Sequence, residues 1–398
     1  MSNVISKNID DAKSYSLITL ILFWSGLVIM SSLYVTIPLI STFSQTFSVE
    51  VSKAVWSSSG FSLCFAIGCL CHGPLSDRYG RKKVIIIGLS ALTIISFLLG
   101  TVHNLVTLIT LRGIQGAAAA TFSPVALSYA VELFPPKKRV VAIGFISTGF
   151  LMAGIIGQVF SSFVNQHIGW NFVFYILGFI YLITTLLIIL CIPNLPISQP
   201  DTNISKIFKQ MENVFKIKSL KYAYIIALVL LLSFVGMYSA LGNFLSSPKF
   251  NFTNQQILYV RLIGIIGMVL SPYAGKLVEK FSIISVLRGS LLLSIIGLAL
   301  IGISTSALFM IIMSVIFVIG IAITTPTLIS LIGVLGGKIR GSAVSMYTFI
   351  LFLGASIGPV LTMRLLKTGS YTITFTSLSA CLVIGILATF FICLEQKN

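Results

Sequence analysis

Charged side chains are scarce in this chain. Of its 398 residues, 9% are Asp, Glu, Lys or Arg, whereas 57% are hydrophobic. A soluble domain of this length would carry about a quarter charged residues. Runs of about 20 apolar residues recur along the whole sequence, and each is long enough to cross a bilayer as a helix. The scarcity of charge therefore excludes an ordinary soluble protein and indicates one that crosses a membrane many times.

Residues that carry enzymatic or metal chemistry are also few. The histidines His72, His103 and His167 lie at span ends, and the sequence contains no phosphate-binding loop with its lysine and no Ser-His-Asp pattern. No cysteines form a paired CxxC motif, and all six lie in or beside apolar runs: Cys64, Cys69, Cys71, Cys191, Cys381 and Cys393. We therefore expect no enzymatic activity, no metal site and no cofactor. His72 alone is suited to proton handling.

Acidic residues number nine against 26 Lys and Arg, and none lies in the middle of an apolar run. Two arginines, Arg112 and Arg261, fall inside such runs without an acid at their depth. Unpaired buried charge is costly, and arginine matches carboxylate and phosphate in a two-pronged geometry. We expect a bound ligand to supply the negative charge, unless these arginines extend to the membrane surface. The nine acids are Asp10, Asp11, Glu50, Asp77, Glu132, Asp201, Glu212, Glu279 and Glu395.

The apolar runs predict an all-α membrane protein with twelve transmembrane helices. With the N-terminus inside, twenty Lys and Arg fall on the cytoplasmic side and four outside, a bias that places both termini in the cytoplasm. The net charge of +17 follows from this bias and does not indicate a nucleic-acid partner. The spans cover approximately residues 17–41, 54–74, 84–102, 105–129, 140–163, 171–192, 221–243, 256–275, 285–304, 307–332, 343–364 and 372–394.

A polar connection divides the spans into six and six. It opens with the proline-rich "PNLPISQPDTN" and continues with "ISKIFKQMENVFKIK", in which apolar residues recur at helical spacing between lysines. That pattern is typical of an amphipathic helix on the membrane surface, although a simple tether would also fit. We expect an N-terminal six-helix bundle at 1–192, a cytoplasmic linker at 193–220 and a C-terminal bundle at 221–398.

The two halves repeat one another. "GPLSDRY" from Gly73 aligns with "GKLVEKF" from Gly275, and Pro124 matches Pro326 at the same offset. Parallel repeats of six spans imply two bundles related by a pseudo-two-fold axis along the membrane normal. A substrate site is then expected at their interface, near the middle of the membrane.

The densest charge of the chain lies between spans 2 and 3, in "GPLSDRYGRKK". A positive-inside anchor would explain its cations, but not Asp77, the flanking Gly73 and Gly80, or the matching acid Glu279 in the second half. The stretch resembles the signature loop of the major facilitator superfamily, matching at Gly73, Leu75, Asp77, Arg78, Gly80, Arg81, Lys82 and Lys83.

This resemblance implies a gating role for the loop. In that superfamily the aspartate, here Asp77, docks one half onto the other and closes the cytoplasmic gate. The second arginine, here Arg81, pairs with an acid at the end of span 4, where Glu132 stands. The resemblance covers the whole chain through the twelve-span layout, but it does not indicate the substrate.

Two further motifs resemble those of proton-linked carriers. Arg112, Gln115 and Gly116 match a second motif, which implies that Arg112 faces the cavity. "GFLMAGIIGQ" resembles the glycine-rich span-5 motif of the drug:proton antiporter branch. However, its central glycine and proline are replaced by alanine and glycine, and Gln158 replaces the last glycine. Packing of small residues between helices would explain the same glycines.

Together these features predict a secondary active transporter that exports a small organic molecule, anionic or zwitterionic, by proton antiport. A carboxylate-bearing metabolite or a metallophore would fit. The alternatives are multidrug efflux of lipophilic compounds and an uptake symporter, whereas a non-transporting membrane sensor fits poorly. We expect a monomer in a bacterial plasma membrane, driven by a proton gradient. The predicted substrate-binding residues are Tyr34, Arg112, Gln115, Gln158, Tyr238, Arg261 and Tyr347, and the predicted gating residues are Gly73, Asp77, Arg78, Gly80, Arg81, Glu132 and Glu279.

Overall fold

The computed structural model of the protein describes residues 12–197, 214–304 and 306–393, and its regular elements are helices. The predicted all-α membrane class is therefore confirmed. In this part of the chain, eleven helical segments are long and apolar enough to cross a membrane, and the first apolar segment, Tyr15–Ser31, is shorter. Three of the eleven are counted across a short break: Val51–Tyr79, Leu105–Leu133 and Gln255–Lys280. The count of twelve spans stays a prediction. Most of the predicted amphipathic linker helix lies outside the described residues.

The first half contains nine α-helices in its described residues. Their bounds are α1 Ala12–Ser31, α2 Ile40–Thr46, α3 Val51–Ala54, α4 Trp56–Tyr79, α5 Arg81–Gly100, α6 Leu105–Ala119, α7 Ser123–Leu133, α8 Pro136–Ile168 and α9 Trp170–Cys191. A short 3-10 helix, Ile37–Leu39, lies between α1 and α2.

The second half continues the helical pattern after the linker. Its helices are α10 Lys218–Ser246, α11 Asn254–Met268, α12 Tyr273–Lys280, α13 Ile283–Ile303, α14 Ala307–Gly336, α15 Arg340–Leu366 and α16 Tyr371–Thr389. A 3-10 helix, Gly337–Ile339, precedes α15.

The described residues form two compact units. Unit 1 contains the residues up to Pro135 and those from Phe145 to the linker. Unit 2 contains Pro136–Gly144 and the residues that follow the linker. The first turns of α8 thus belong to unit 2, while the rest of this helix belongs to unit 1. The predicted domain boundaries at 192 and 221 stay a prediction.

Three predicted spans are interrupted rather than continuous. Span 1 stops at Ser31, span 4 divides into α6 and α7, and span 8 divides into α11 and α12. Pro38, Pro124 and Pro272 each stand at the start of the helix that follows the break. Proline has no N–H to donate and fits the first helical turn better than a helix interior. Pro326, which aligns with Pro124, instead lies inside the continuous helix α14.

Glycines of α8 bring its backbone against α1 in unit 1. A Cβ atom at Gly149 would lie 2.6 Å from the carbonyl oxygen of Phe23, and one at Gly157 would lie 2.9 Å from that of Ser31. Gly154, between them, has ordinary room: its Cβ would lie 3.5 Å from the Tyr34 ring. Two of the three span-5 glycines therefore form a close helix contact of small residues.

Unit 2 repeats this contact between α15 and α10. A Cβ atom at Gly358 would lie 2.6 Å from the carbonyl oxygen of Leu232, and one at Gly354 would overlap the carbonyl oxygen of Leu228. Gly358 stands opposite Gly157 when the two halves are aligned. The halves therefore share a glycine-mediated helix contact as well as a sequence pattern.

The glycine contact predicts that replacing glycine by alanine has opposite effects on stability at Gly157 and at Gly154. Gly157→Ala should lower the stability of the detergent-purified protein by about 1–3 kcal/mol, because the new methyl group forces α8 away from α1. Gly154→Ala is the matched control, since both changes give the same gain in helix propensity, up to about 1 kcal/mol. Thermal unfolding of the two variants measures the difference. Equal midpoints would contradict a tight contact at Gly157.

Candidate functional site

The signature loop turns sharply between α4 and α5. Gly80 ends α4 with a φ of 93°, a conformation that residues with a side chain rarely adopt. Its backbone N–H donates to the carbonyl oxygen of Ser76 at 3.0 Å and closes the last turn of the helix. The turn places Arg81 at the start of α5, directly beside the residues that end α4.

Arg81 is the centre of a buried charged cluster, the Arg81 cluster, formed with Ser76, Asp77 and Glu132. Its Nε donates to Glu132 Oε2 at 2.9 Å and its Nη2 donates to Glu132 Oε1 at 2.8 Å. Nη2 also pairs with Asp77, and Nη1 donates to the hydroxyl of Ser76 at 2.6 Å. The structure thus brings Arg81 and Glu132 together, in the two-pronged geometry that is strongest for this pair.

The Arg81 cluster holds its charges out of solvent. Asp77 is 4% exposed and Arg81 is equally buried. Breaking a buried ion pair by removing one partner is strongly destabilising, because the other charge is left uncompensated. Ser76 was missed by the sequence analysis, although it stands within the motif itself. The gating role of the cluster stays a prediction.

The remaining predicted gating residues occupy different environments. Gly73 is buried within α4, and its carbonyl oxygen accepts the Ser76 hydroxyl at 2.6 Å. Arg78 lies over the ring of Tyr79, 5.3 Å from its centroid. Glu279 is exposed near the end of α12 and forms no ion pair with a residue that the structure describes. The second-half acid therefore differs from Asp77 in burial, despite the aligned sequence.

Arg112 lies in α6 and is completely buried, so it does not extend to the membrane surface. Four of its five N–H groups have acceptors. Nη2 donates to the Ser32 carbonyl oxygen at 2.7 Å and to Thr36 Oγ1 at 3.3 Å, and Nε donates to the Ser57 carbonyl oxygen at 3.1 Å. Nη1 donates to Gln115 Oε1 at 2.5 Å.

The surroundings of Arg112 extend this network through unit 1. Its guanidinium group lies over the Phe61 ring, 4.3 Å from the centroid. Gln115 in turn donates to the Ser96 hydroxyl at 2.9 Å, and Ser32 is hydrogen-bonded to Tyr181. Arg112 therefore links α1, α4 and α6 through the protein's own acceptors. A direct contact between Arg112 and a ligand stays a prediction.

Tyr34 and Gln158 both lie against the Gly154 turn of α8. The Gln158 amide donates to the Gly154 carbonyl oxygen at 2.5 Å, and Gly154 leaves room for the Tyr34 ring. Both side chains are half-buried. Two of the predicted binding residues of unit 1 are thus brought together, and neither is among the hydrogen-bond acceptors of Arg112.

Unit 2 contains the other predicted binding residues, and their polar atoms lack partners. Arg261 of α11 donates no hydrogen bond to any residue that the structure describes, and its Nε is buried. The hydroxyls of Tyr238 and Tyr347 are also buried without a hydrogen-bond partner. Tyr238 lies on α10 and Tyr347 lies on α15. The predicted site at the interface of the halves stays a prediction.

The Arg81 cluster predicts energetic coupling between Arg81 and Glu132. Arg81→Ala and Glu132→Ala should each destabilise the protein. The double variant should lose about 0.5–3 kcal/mol less free energy of unfolding than the sum of the two single losses, because neither charge of the pair then remains without the other. A double-mutant cycle on unfolding of the purified protein measures this coupling. Arg78→Ala with Glu132→Ala is the control pair and should be additive; additivity of Arg81 with Glu132 would contradict the contact.

The environments of Arg112 and Arg261 predict different costs for the same substitution. Arg112→Gln should lower the thermal midpoint clearly, because each buried acceptor left unpaired costs about 1–3 kcal/mol. Arg261→Gln should leave the midpoint unchanged, since this side chain donates no hydrogen bond to a described residue. Thermal unfolding of both variants compares them. Equal losses would mean that the four hydrogen bonds of Arg112 do not stabilise unit 1.

The sequence is similar to those of known membrane transporters, in agreement with the helical fold. The family model of the Major Facilitator Superfamily matches residues 22–359. An uncharacterised transporter of Buchnera aphidicola subsp. Schizaphis graminum is 28% identical over 90% of this chain and 86% of its own length. The multidrug export protein EmrB of Haemophilus influenzae is 28% identical over 34% of this chain and 27% of its own length.

Solved structures agree in architecture. The transporter FucP, in its outward conformation, has a TM-score of 0.78 at 16% identity, over 96% of this chain and 100% of that one. The human organic anion transporter MFSD10 has a TM-score of 0.77 at 16% identity, over 94% of this chain and 99% of its own. These similarities show the fold alone, whereas the bacterial relatives support location in a bacterial cell membrane. The match of the family model over most of the chain shows that it belongs to the major facilitator superfamily, and it is a multi-pass membrane transporter rather than an enzyme.

Proposed function

We propose that this transporter is a secondary active exporter of a small organic anion or zwitterion, driven by inward proton flow and without a cofactor. The observation that carries the proposal is the charge distribution inside the helices. The four described acids are Glu50, Asp77, Glu132 and Glu279, and none lies in the middle of a span. Arg112 and Arg261 do lie within spans.

This distribution favours anions over cations. In an exporter of cations, a carboxylate within a span would bind the cation. The described spans carry no carboxylate in their middle. Positive groups inside the bundles instead attract carboxylate or phosphate. A carboxylate-bearing metabolite or a metallophore has this chemistry. The similarity to a protein named an organic anion transporter is in keeping with it, although that similarity concerns the fold.

The Arg81 cluster supplies a plausible gate for the cycle. A buried ion-pair network has two distinct arrangements, paired and separated, and the separated one is costly because charges are left alone. Such an element can hold one state of a carrier until substrate or proton binding shifts the balance. We place both termini and the cluster on the cytoplasmic side, and we propose that the carrier acts as a monomer.

Multidrug efflux is the second candidate. It is favoured by matches to a protein named multidrug resistance protein 3 and to one named multidrug export protein EmrB, each of which covers about a third of this chain. Lipophilic drugs would bind through apolar side chains rather than through arginine. An uptake symporter would use the same fold with the opposite direction of transport.

Transport by the purified protein tests the proposal. Liposomes that contain the full chain and an imposed pH gradient should accumulate carboxylate-bearing compounds from a mixed panel, measured by mass spectrometry, and dissipation of the gradient should abolish this. Control liposomes carry no protein. Movement of lipophilic cations alone would favour multidrug efflux, and movement that ignores the pH gradient would refute proton coupling.

The proposal predicts a selective effect of Arg261→Gln in the same liposomes. Carboxylate transport should fall about tenfold or more, because a charge-assisted hydrogen bond to the ligand is lost. Arg288→Gln is the matched control: Arg288 lies in the same unit, but it donates to Thr389 at 3.0 Å and packs on Phe390. It should retain carboxylate transport. Normal transport by Arg261→Gln would exclude this arginine from substrate binding.

A further inference from the structure

We infer that Arg261 and Tyr238 form an oxyanion-binding site inside unit 2, here called the Arg261 site. The two residues lie on neighbouring helices, α11 and α10, on either side of one connection. Each lies about two turns, or about 10–12 Å, from that connection, given a rise of 1.5 Å per residue. They are therefore at similar depth, and both project polar groups into the contact between the helices.

Glycines make the space for these side chains. A Cβ atom at Gly264, one turn after Arg261, would overlap the hydroxyl oxygen of Tyr238. A Cβ atom at Gly242, one turn after Tyr238, would lie 3.6 Å from Nη2 of Arg261. Each polar side chain thus crosses the opposite helix at a glycine. The tyrosine crossing requires a glycine at position 264, whereas Gly242 leaves ordinary room beside the arginine.

Two polar atoms of the site are buried and unsatisfied, although Arg261 and Tyr238 as whole residues are half-buried. The Tyr238 hydroxyl and the Arg261 Nε have no hydrogen-bond partner among the described residues. Arg261 shares its side of α11 with the buried Gly264 and Met268, whereas Tyr259 and Ile263 form the exposed side. The Arg261 Nε is buried, and the Nη2 of this side chain lies beside Gly242 of α10.

The chemistry of the site selects an oxyanion. Arginine offers only N–H donors and tyrosine offers an O–H donor, so a carboxylate or phosphate oxygen can accept from both at once. Unit 2 supplies no competing charge nearby, because its one described acid, Glu279, is exposed at the end of α12. The oxyanion can come from a carboxylate-bearing solute or from a lipid headgroup. Identifying it as the transported solute rests on the proposed transport function.

Arginine labelling of the purified full-length protein tests the site without a transport assay. Phenylglyoxal modification of Arg261 is followed by peptide mass spectrometry in maltoside detergent, with benzoate as the probe and benzamide as its uncharged match. Benzoate should slow labelling of Arg261 at least tenfold, and benzamide should not. The exposed Arg364 is the internal reference and should react at one rate throughout.

Two tyrosine variants distinguish an effect on anion binding from an effect on the stability of the protein. Tyr238→Phe should raise the benzoate concentration for half-protection about tenfold, equivalent to about 1.4 kcal/mol. The variant should stay folded, because this hydroxyl has no hydrogen-bond partner among the described residues. Tyr224→Phe removes a hydroxyl that donates to the Ala343 carbonyl oxygen at 3.0 Å. This control should lower thermal stability and leave the protection by benzoate unchanged.

Phosphatidylcholine nanodiscs distinguish the two sources of the anion. If labelling of Arg261 is already slow in nanodiscs and fast in maltoside, the site holds a lipid phosphate; if benzoate is needed in both, the site holds a soluble carboxylate. Equal effects of benzoate and benzamide in both media, without protection by lipid, would overturn the site. That result would leave proton-driven export untouched, and absence of export in liposomes would leave the labelling result standing.

Discussion

Guanidinium groups inside apolar helix bundles need acceptors, because no water is available there to replace them. Unit 1 meets this demand in two ways. Arg81 uses two carboxylates and a hydroxyl, whereas Arg112 uses carbonyl, hydroxyl and amide oxygens. Arg261 in unit 2 has no hydrogen-bond acceptor among the described residues. Two of these three arginines thus find their acceptors within the protein, and Arg261 does not find one among the described residues.

The acceptors of Arg112 depend on the interruption of the first span. In a continuous helix the carbonyl oxygen of Ser32 would accept from the N–H four residues later. The chain between α1 and the 3-10 helix forms turns instead, and no backbone hydrogen bond to that oxygen is formed by the described residues. Arg112 donates to it at 2.7 Å. The broken helix and the buried arginine therefore stabilise each other, which joins α1 to α6.

The sequence predicted the helical membrane fold from its apolar runs, and the resemblance of the loop to the superfamily's motif implied the pairing of Arg81 with Glu132, which the structure contains. It did not predict that Ser32 and Ser57 accept from Arg112, since main-chain acceptors carry no signature in the side-chain sequence. Nor did it predict the exposure of Glu279, which aligns with the buried Asp77. A repeat aligns positions along the chain, but burial depends on which helices pack against each position.

The two halves share their apolar framework and differ in their polar content. Both use glycines to bring two helices into backbone contact, at Gly157 in unit 1 and at Gly358 in unit 2. The buried tyrosine Tyr181 is hydrogen-bonded within unit 1, whereas the hydroxyls of Tyr238 and Tyr347 in unit 2 have no hydrogen-bond partner among the residues that the structure describes. A polar group buried without a partner destabilises the protein unless a ligand or water satisfies it. Buried donors without a partner among the described residues also occur at serines of unit 1, but Tyr238 and Arg261 lie at one contact between neighbouring helices, where a single oxyanion could accept from both.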